Sequence, residues 1–512
     1  MNRKILKWNF IFQYGWVLTN IFNSILLLPL YLKKIDASNL GVWLATGNVI
    51  AWMTLVDPGV GEVLQQRIAE IRGKGQNSET GKLIGSGYIA SAFIFILSVV
   101  LGILCYLFIG KIINKDIHQY PHLPLALFLT VAATGLTLVS FTVSGINQGL
   151  HNSAHVAISS LTANFLFLFV NLFFLYTGWG VLSIAAANLA RAAYINIYNM
   201  ISMSRLLQRE NFNIDYDWPH FKRFSKIFSF TSASKIITGL SGSLDMVVLA
   251  RYLSPATITM YEINRRPVNI SYSLIGRHSV ALMPVISHAK GSGDKKAIFD
   301  LINQQFRFYC YAALLASFIF IFNYENLVSA WTGPAQFAGH TIINLLVINF
   351  FISLISYFMA IVGYALGDIK MNSLFNIVRN IVFGISVFFA AKYFGIIGTV
   401  VVAIGLNLCA DLSFYAWRLY KLGYFDPHLW RFLLSRWAII IPAGCIFEWV
   451  LSWAINLALP TASYFARLVT GAGLFTIFFV LLILAVDNGL RMLAKQLVNN
   501  TIIPFFYKRA AA

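Results

Sequence analysis

The sequence is poor in charged residues, which make up 11% of its 512 residues, against roughly 25% in soluble globular proteins. Apolar residues reach 58%, and the mean hydropathy is +0.71. A water-soluble fold is therefore excluded. Acidic residues are scarcer than basic ones, 19 against 38, which gives a formal net charge of +19. In so apolar a chain this excess indicates membrane topology and charge inside a helix bundle, not nucleic-acid binding.

Catalytic and cofactor motifs are also missing. The four cysteines fall in apolar runs without a CxxC pair or a Cys/His ligand spacing, so we predict neither disulfides nor a metal site. No GxxxxGK[ST] occurs, and the chain therefore has no P-loop motor of its own. None of the nine histidines stands in a nucleophile or metal motif. We expect a protein that is not an enzyme and has no cofactor.

Long apolar runs predict an all-α polytopic membrane protein. A membrane helix needs about 20 mostly apolar residues, because only a helix satisfies its backbone internally in hydrocarbon. The predicted spans, fourteen in number, lie near residues 11–32, 40–64, 84–110, 123–148, 155–177, 180–203, 228–251, 256–286, 306–325, 339–365, 373–391, 395–417, 435–458 and 465–486.

Basic residues predict the orientation of these spans. With the N-terminus inside, 25 of the 38 Lys and Arg residues fall in inner segments and only six in outer ones. Cytoplasmic segments carry such an excess, so we expect both termini to be cytoplasmic.

The longest polar connection, residues 204–227, follows six spans and resembles a seam between two halves. We therefore predict a six-helix lobe over 1–210, a second six-helix lobe over 211–422, two additional transmembrane helices over 423–490 and an amphipathic cytoplasmic tail over 491–512. Rocking of two lobes needs no partner subunit, so a monomer is expected.

Ionisable residues within the spans are costly and mark candidate sites. The eighth span carries Glu262, Arg265, Arg266 and Arg277. Eleven residues return a helix nearly to the same face, which places Arg266 and Arg277 roughly 16 Å apart along one side. They form a cationic strip suited to phosphate. The alternative is that Glu262 neutralises Arg266 and that Arg277 anchors the helix at the interface.

Other spans add polar groups. Lys235 and Asp245 lie on a Gly- and Ser-rich helix, Arg191 lies in the sixth span and Arg379 in the eleventh. We include Lys235, Arg191 and Arg379 with the substrate-binding candidates. For Arg379, a structural ion pair with Asp411 is an equal alternative, because buried charges generally pair.

The second span contains LVDPGVGE, with Asp57 and Glu62 around a proline and two glycines. This composition favours local unwinding. Asp57, Glu62 and Asp245 are candidates for coupling to H⁺ or Na⁺, whereas the alternative for the first two is a simple kink with hydrated carboxylates.

Several segments resemble one transporter family. LVDPGVGEVLQQRIAEIRGKGQ at 55–76 is similar to the second-span and first-inner-loop signature of the polysaccharide exporters. GSLDMVVLARYLSPATITMYEINRR at 242–266 is similar to the corresponding stretch of their second half. SHAKGSGDKKAI, VSAWTGPAQFAG, YALGDIKMN and GIIGTVVV follow in the family's order, so the resemblance covers about residues 10–420.

This superfamily comprises multidrug, oligosaccharidyl-lipid and polysaccharide (MOP) exporters, and the motifs resemble its Wzx-type branch of repeat-unit flippases. The resemblance implies two six-helix lobes around a central cavity, here with two further C-terminal helices, and alternating access. It implies an undecaprenyl-pyrophosphate-linked oligosaccharide, such as an O-antigen, capsule or exopolysaccharide unit, as the partner. It also implies the bacterial inner membrane as the location.

The alternatives are flipping of lipid II or another lipid-linked precursor and export of amphipathic cations by a MATE-like, cation-coupled mechanism. Acidic groups should dominate the lumen of a cation exporter, whereas basic groups dominate here. A membrane-embedded glycan polymerase or ligase would need a catalytic constellation on the outer side, which the outer loops lack.

Overall fold

A computed structural model describes residues 19, 22–23, 25–57, 59–73, 77–150, 152–210, 213–225, 229–291, 295–458 and 461–497. Within these ranges the chain is helical with short connections and has no β-strand. This agrees with the all-α polytopic fold predicted from the apolar runs.

The helices are numbered here in chain order. They are α1 (25–34), α2 (Ala37–Ala51), α3 (Val60–Gly73), α4 (Asn77–Ile113), α5 (Leu123–Gly149), α6 (Ser153–Tyr176), α7 (Leu182–Arg209), α8 (Trp218–Ser225), α9 (Ser229–Tyr252), α10 (Pro255–Gly291), α11 (Lys295–Thr332), α12 (His340–Ala365), α13 (Ile369–Leu406), α14 (Ser413–Lys421), α15 (Pro427–Ala458), α16 (Tyr464–Val486) and α17 (Asn488–Leu497). A 3₁₀ segment, Trp52–Val56, follows α2, and a π-helical segment, Asn407–Leu412, joins α13 to α14.

Nine helical segments of the described chain are long and apolar enough to cross a membrane. The longest, Lys370–Lys421, contains a break at Gly395, where φ is +58° and ψ is −137°. Such a backbone is readily adopted only by glycine. The break falls at the first residue of the predicted span 395–417, shortly after the predicted span 373–391, so this one segment contains both.

Three further predicted spans form helices that are not among these nine. They are α7, α9 and α10, with 28, 24 and 37 residues. At about 1.5 Å per residue each is long enough for the roughly 30 Å hydrocarbon core. They are also the helices that carry most of the basic candidates. The first predicted span, 11–32, lies partly outside the described residues.

The chain divides into two compact units. Unit 1 comprises the described residues of Met1–Glu262 with Asn376–Gly395, and unit 2 those of Ile263–Phe375 with Ile396–Ala512. Both α10 and α13 therefore contribute to each unit. The lobe and tail boundaries at 210, 422 and 490 stay predictions.

Glycine contacts hold together the core of unit 1. A Cβ added at Gly145 of α5 would overlap the carbonyl oxygen of Gly61 in α3, so these two backbones touch. Leu64 and Ile68 of α3 are fully buried in the same cluster as Ile146. Small residues that allow close backbone approach are typical of packing between membrane helices.

In unit 2 the C-terminal helices α15 and α16 pack against α11 through aromatic rings. Phe318 of α11 lies 5.2 Å from Phe475 and 5.9 Å from Phe479 of α16, measured between ring centroids. Phe447 of α15 stacks on Phe478 of α16 at 3.8 Å. The additional pair is thus an integral part of this unit.

Candidate functional site

The cationic strip lies on α10, whose helix is continuous over the predicted stretch. Arg265 and Arg266 are half-buried and Arg277 is exposed, and all three belong to unit 2. Since residues 266 and 277 are both helical, the predicted common face and separation of roughly 16 Å hold. The part of α10 that belongs to unit 2 therefore carries the guanidinium groups of Arg266 and Arg277 along one side.

Two aromatic side chains lie at the Arg277 end of this strip. The rings of Tyr272 on α10 and Tyr357 on α12 lie 5.6 Å apart, and Arg277 is near enough to Tyr357 to interact with it electrostatically. Gly276 makes room for the Tyr357 ring, which a Cβ there would meet at 3.2 Å. This contact was not predicted, because the two tyrosines are 85 residues apart in the chain and their spacing does not indicate that they meet.

Two predicted anion-binding residues of unit 1 contact aromatic rings. The guanidinium of Arg191 lies 5.1 Å from the ring centroid of Phe167 and donates to Asn188. That of Arg379 lies 5.2 Å from the Phe383 ring. Cation–π contacts of this kind stabilise a cation that has left water. Their binding role stays a prediction, as does that of Lys235, which lies in α9 but whose side chain is outside the described residues.

The predicted break at LVDPGVGE is present. Helix α2 ends in the 3₁₀ segment, and Gly59 takes a φ of +97° before α3 begins. Asp57 is only 5% exposed, and its Oδ1 accepts hydrogen bonds at 3.0 Å from the backbone N–H groups of Gly59 and Val60. This carboxylate thus caps α3 and is buried, so the alternative in which Asp57 is simply hydrated is wrong. The side chain of Glu62 lies outside the described residues.

Asp245, the third carboxylate proposed for ion coupling, lies on α9 in unit 1. The hydroxyl of Tyr261 donates to its Oδ2 at 3.5 Å, at the limit of a hydrogen bond. The two carboxylates therefore have different surroundings: Asp57 caps a helix, whereas Asp245 accepts a hydrogen bond from a tyrosine. Coupling through either residue stays a prediction.

Two polar contacts of unit 2 were not predicted. Arg418 forms a two-point ion pair with Asp368, at 2.6 Å from Nε to Oδ2 and 2.7 Å from Nη2 to Oδ1. Glu448 of α15 is 1% exposed and accepts a hydrogen bond from Asn323 of α11 at 3.2 Å. Buried charged residues generally have a partner. The partner could not be predicted here, because it lies 50 residues away in the chain for Arg418 and 125 residues away for Glu448.

Comparison with known proteins places this arrangement in a family. The model of a family described as "Polysaccharide biosynthesis protein" matches residues 10–290, more than half of the chain. No curated protein matches the chain by sequence.

Solved structures share the fold at low identity. One described as "Lipid II flippase MurJ, inward closed conformation" is 15% identical, with a TM-score of 0.65, over 91% of this chain and 97% of its own. An inward-facing multidrug resistance MATE family transporter of the MOP superfamily is 13% identical, with a TM-score of 0.64, over 79% and 95%. A MOP superfamily transporter from Pyrococcus furiosus is 12% identical, with a TM-score of 0.55, over 82% and 95%. At these identities the likeness shows the fold and not the substrate.

Proposed function

Since the chain belongs to the family described as "Polysaccharide biosynthesis protein", we propose that it is a flippase for an undecaprenyl-pyrophosphate-linked oligosaccharide. It moves this repeat unit of an O-antigen, capsule or exopolysaccharide from the cytoplasmic to the outer leaflet of a bacterial inner membrane. The protein works as a monomer by alternating access, with both termini in the cytoplasm.

The observation that carries this proposal is the basic character of α10. Arg265, Arg266 and Arg277 occupy a helix long enough to cross the bilayer, where a charged side chain costs at least about 2.5 to 3.5 kcal/mol. Such a cost is offset when the cations bind an anion, and guanidinium matches the geometry of phosphate oxygens. Tyr272 and Tyr357 beside Arg277 offer ring faces for the first sugar.

Two alternatives concern the cargo. The structure described as a lipid II flippase favours another lipid-linked precursor, which shares the pyrophosphate. The MATE neighbour favours a cation-coupled drug exporter. The description of the Pyrococcus furiosus transporter states that "reverse polarity of binding pocket suggests different function". The arginines of α10 likewise favour an anionic cargo here over a cationic drug.

The test is a flipping assay in liposomes. A fluorescent polyprenyl-pyrophosphate oligosaccharide is incorporated, and the fraction accessible to an impermeant quencher is followed with time. We expect faster exposure than in protein-free liposomes and at least about a tenfold slower rate for Arg266→Gln and Arg277→Gln, the equivalent of one lost interaction of about 1.4 kcal/mol.

The matched control is Arg209→Gln, which removes the same charge from the exposed last turn of α7. It should transport like the wild type. Equal rates for all three variants would remove α10 as the anion site. A folded wild-type protein that flips no pyrophosphate-linked glycan but exports a soluble cation would replace the proposal with the multidrug alternative.

A further inference from the structure

Unit 2 contains an apolar channel that the proposed transport cycle does not use. Its volume is about 530 Å³, within the usual range of small-molecule sites. The channel lies among α10, α11, α16 and the start of α17, and its apolar wall is formed mainly by Phe308, Leu315, Phe479, Val480, Ile483 and Leu484.

A smaller polar compartment of about 280 Å³ adjoins this channel. Gln304 and Leu490 line both cavities, so the two share a wall. The polar compartment adds Asp300, Asn303 and Arg307. Together the two cavities form one amphipathic pocket, apolar at one end and charged at the other.

Arg307 is the cation that lines the charged end, and some of its N–H donors form no hydrogen bond within the protein. Its Nη1 lies 3.8 Å from Oδ1 of Asp487, too far for a hydrogen bond, and its buried Nε has no hydrogen-bond partner. Asp487 instead accepts from the backbone N–H groups of Gly489 and Leu490 and from the hydroxyl of Tyr311. The guanidinium lies over the Phe432 ring, 5.0 Å from its centroid, and is 31% exposed, so the donors that face the compartment can bind an anion.

The length of the pocket matches one membrane leaflet. Along α11 its lining runs from Asp300 to Leu315, which is roughly 22 Å at 1.5 Å per residue. Half of a bilayer, with its headgroup region, is also about 20 to 22 Å thick. Asp300 precedes Arg307 by seven residues, so both stand on one face of α11 about 10 Å apart.

We propose that this pocket is a binding site for a phospholipid whose headgroup carries both a phosphate and a primary amine. Arg307 binds the phosphate, the exposed carboxylate of Asp300 binds the amine, and one acyl chain fills the apolar channel. The lipid would join α11 to α16 and α17.

The charge balance distinguishes this lipid from the transported one. The head compartment contains one guanidinium, Arg307, and the carboxylate of Asp300, and the buried carboxylate of Asp487 lies 3.8 Å from Arg307. A pyrophosphate carries at least two negative charges and would be repelled by the two carboxylates, whereas a zwitterion satisfies a cation and an anion at once. The inference is thus independent of the proposed cargo.

The test uses a phosphatidylethanolamine with a photoreactive diazirine on its acyl chain, in vesicles that contain the purified full-length protein. After irradiation we expect crosslinks at residues 308–315 and 479–484. Unlabelled phosphatidylethanolamine should reduce them at least fivefold more effectively than phosphatidylglycerol or polyprenyl phosphate.

Two variants probe the two ends of the pocket. Ala312→Phe narrows the channel and should lower labelling at least fivefold. Leu481→Phe places the same ring at a position of α16 that is 62% exposed and should leave labelling unchanged. Asp300→Asn, at an exposed residue, should lower the preference for the amine-bearing lipid at least threefold without loss of folded protein.

Three results would overturn the proposal. Stronger competition by polyprenyl phosphate would assign the channel to the tail of the cargo. Labelling no higher than at exposed bilayer-facing positions would leave only ordinary surrounding lipid, and protein–protein crosslinks at these residues would assign the face to a second copy. Because the readout is lipid labelling, a negative result here leaves the flipping assay unaffected, and the reverse also holds.

Discussion

The ion pair between Arg418 and Asp368 allows a quantitative test of how unit 2 is held together. The side chains are only 15% and 8% exposed, and two short hydrogen bonds join them. Although Asp368 precedes α13, its side chain caps no backbone group of that helix, so Asp368→Asn breaks the ion pair without removing a helix cap. Breaking a fully buried pair by removing one partner costs about 3 to 5 kcal/mol, because the other charge stays buried without compensation. This pair is partly buried, so a cost at the lower end of that range is expected.

The assay is a double-mutant cycle on reversible unfolding of the purified protein in mixed micelles. We expect Asp368→Asn and Arg418→Met to cost about 3 kcal/mol each and the double variant much less than their sum, since an apolar replacement of a whole pair is often neutral. The coupling energy should exceed about 2 kcal/mol. Lys421→Met, at an exposed basic residue of the same helix, should cost less than about 0.5 kcal/mol. Additive single effects, with coupling below about 0.5 kcal/mol, would refute the argument.

Two further predictions concern unit 1. Gly145→Ala places a methyl group against the carbonyl oxygen of Gly61, a backbone atom that cannot move aside as a flexible side chain can, and should lower the free energy of unfolding by about 1 to 3 kcal/mol. The control, Gly47→Ala, meets no atom within 4 Å and should be neutral or stabilising in the same thermal melt. Equal melting temperatures for the two variants would contradict the close contact. Asp57→Asn keeps the cap of α3, since Asn caps as well as Asp, whereas Asp57→Ala should cost about 1 kcal/mol. If Asp57 couples an ion, the Asn variant keeps wild-type stability but loses the response of flipping to a pH or sodium gradient, and an unchanged response would leave Asp57 as a cap alone.

The helices of this protein could be predicted from the sequence because their cause is local. Hydrocarbon leaves a backbone no water to bond with, so each long apolar run must be a helix. The breaks are equally local. Gly395 takes a backbone that other residues avoid, and the segment around Gly59 does the same between α2 and α3. These features need no knowledge of neighbouring helices. The break at Gly59 lies in the segment predicted to unwind, and Gly395 lies at the predicted start of the span 395–417.

The partners of the polar groups depend on tertiary structure. A partly buried arginine such as Arg418 needs a counter-ion, but only packing decided that it is Asp368. In the same way, folding places Arg191 on Phe167 and turns the Asp57 carboxylate to the start of α3. The sequence therefore determined the spans, their breaks and the excess of basic residues. The pairing of side chains was decided by the tertiary structure, because it depends on which helix faces lie together, and residues far apart in the chain do not specify this by their spacing.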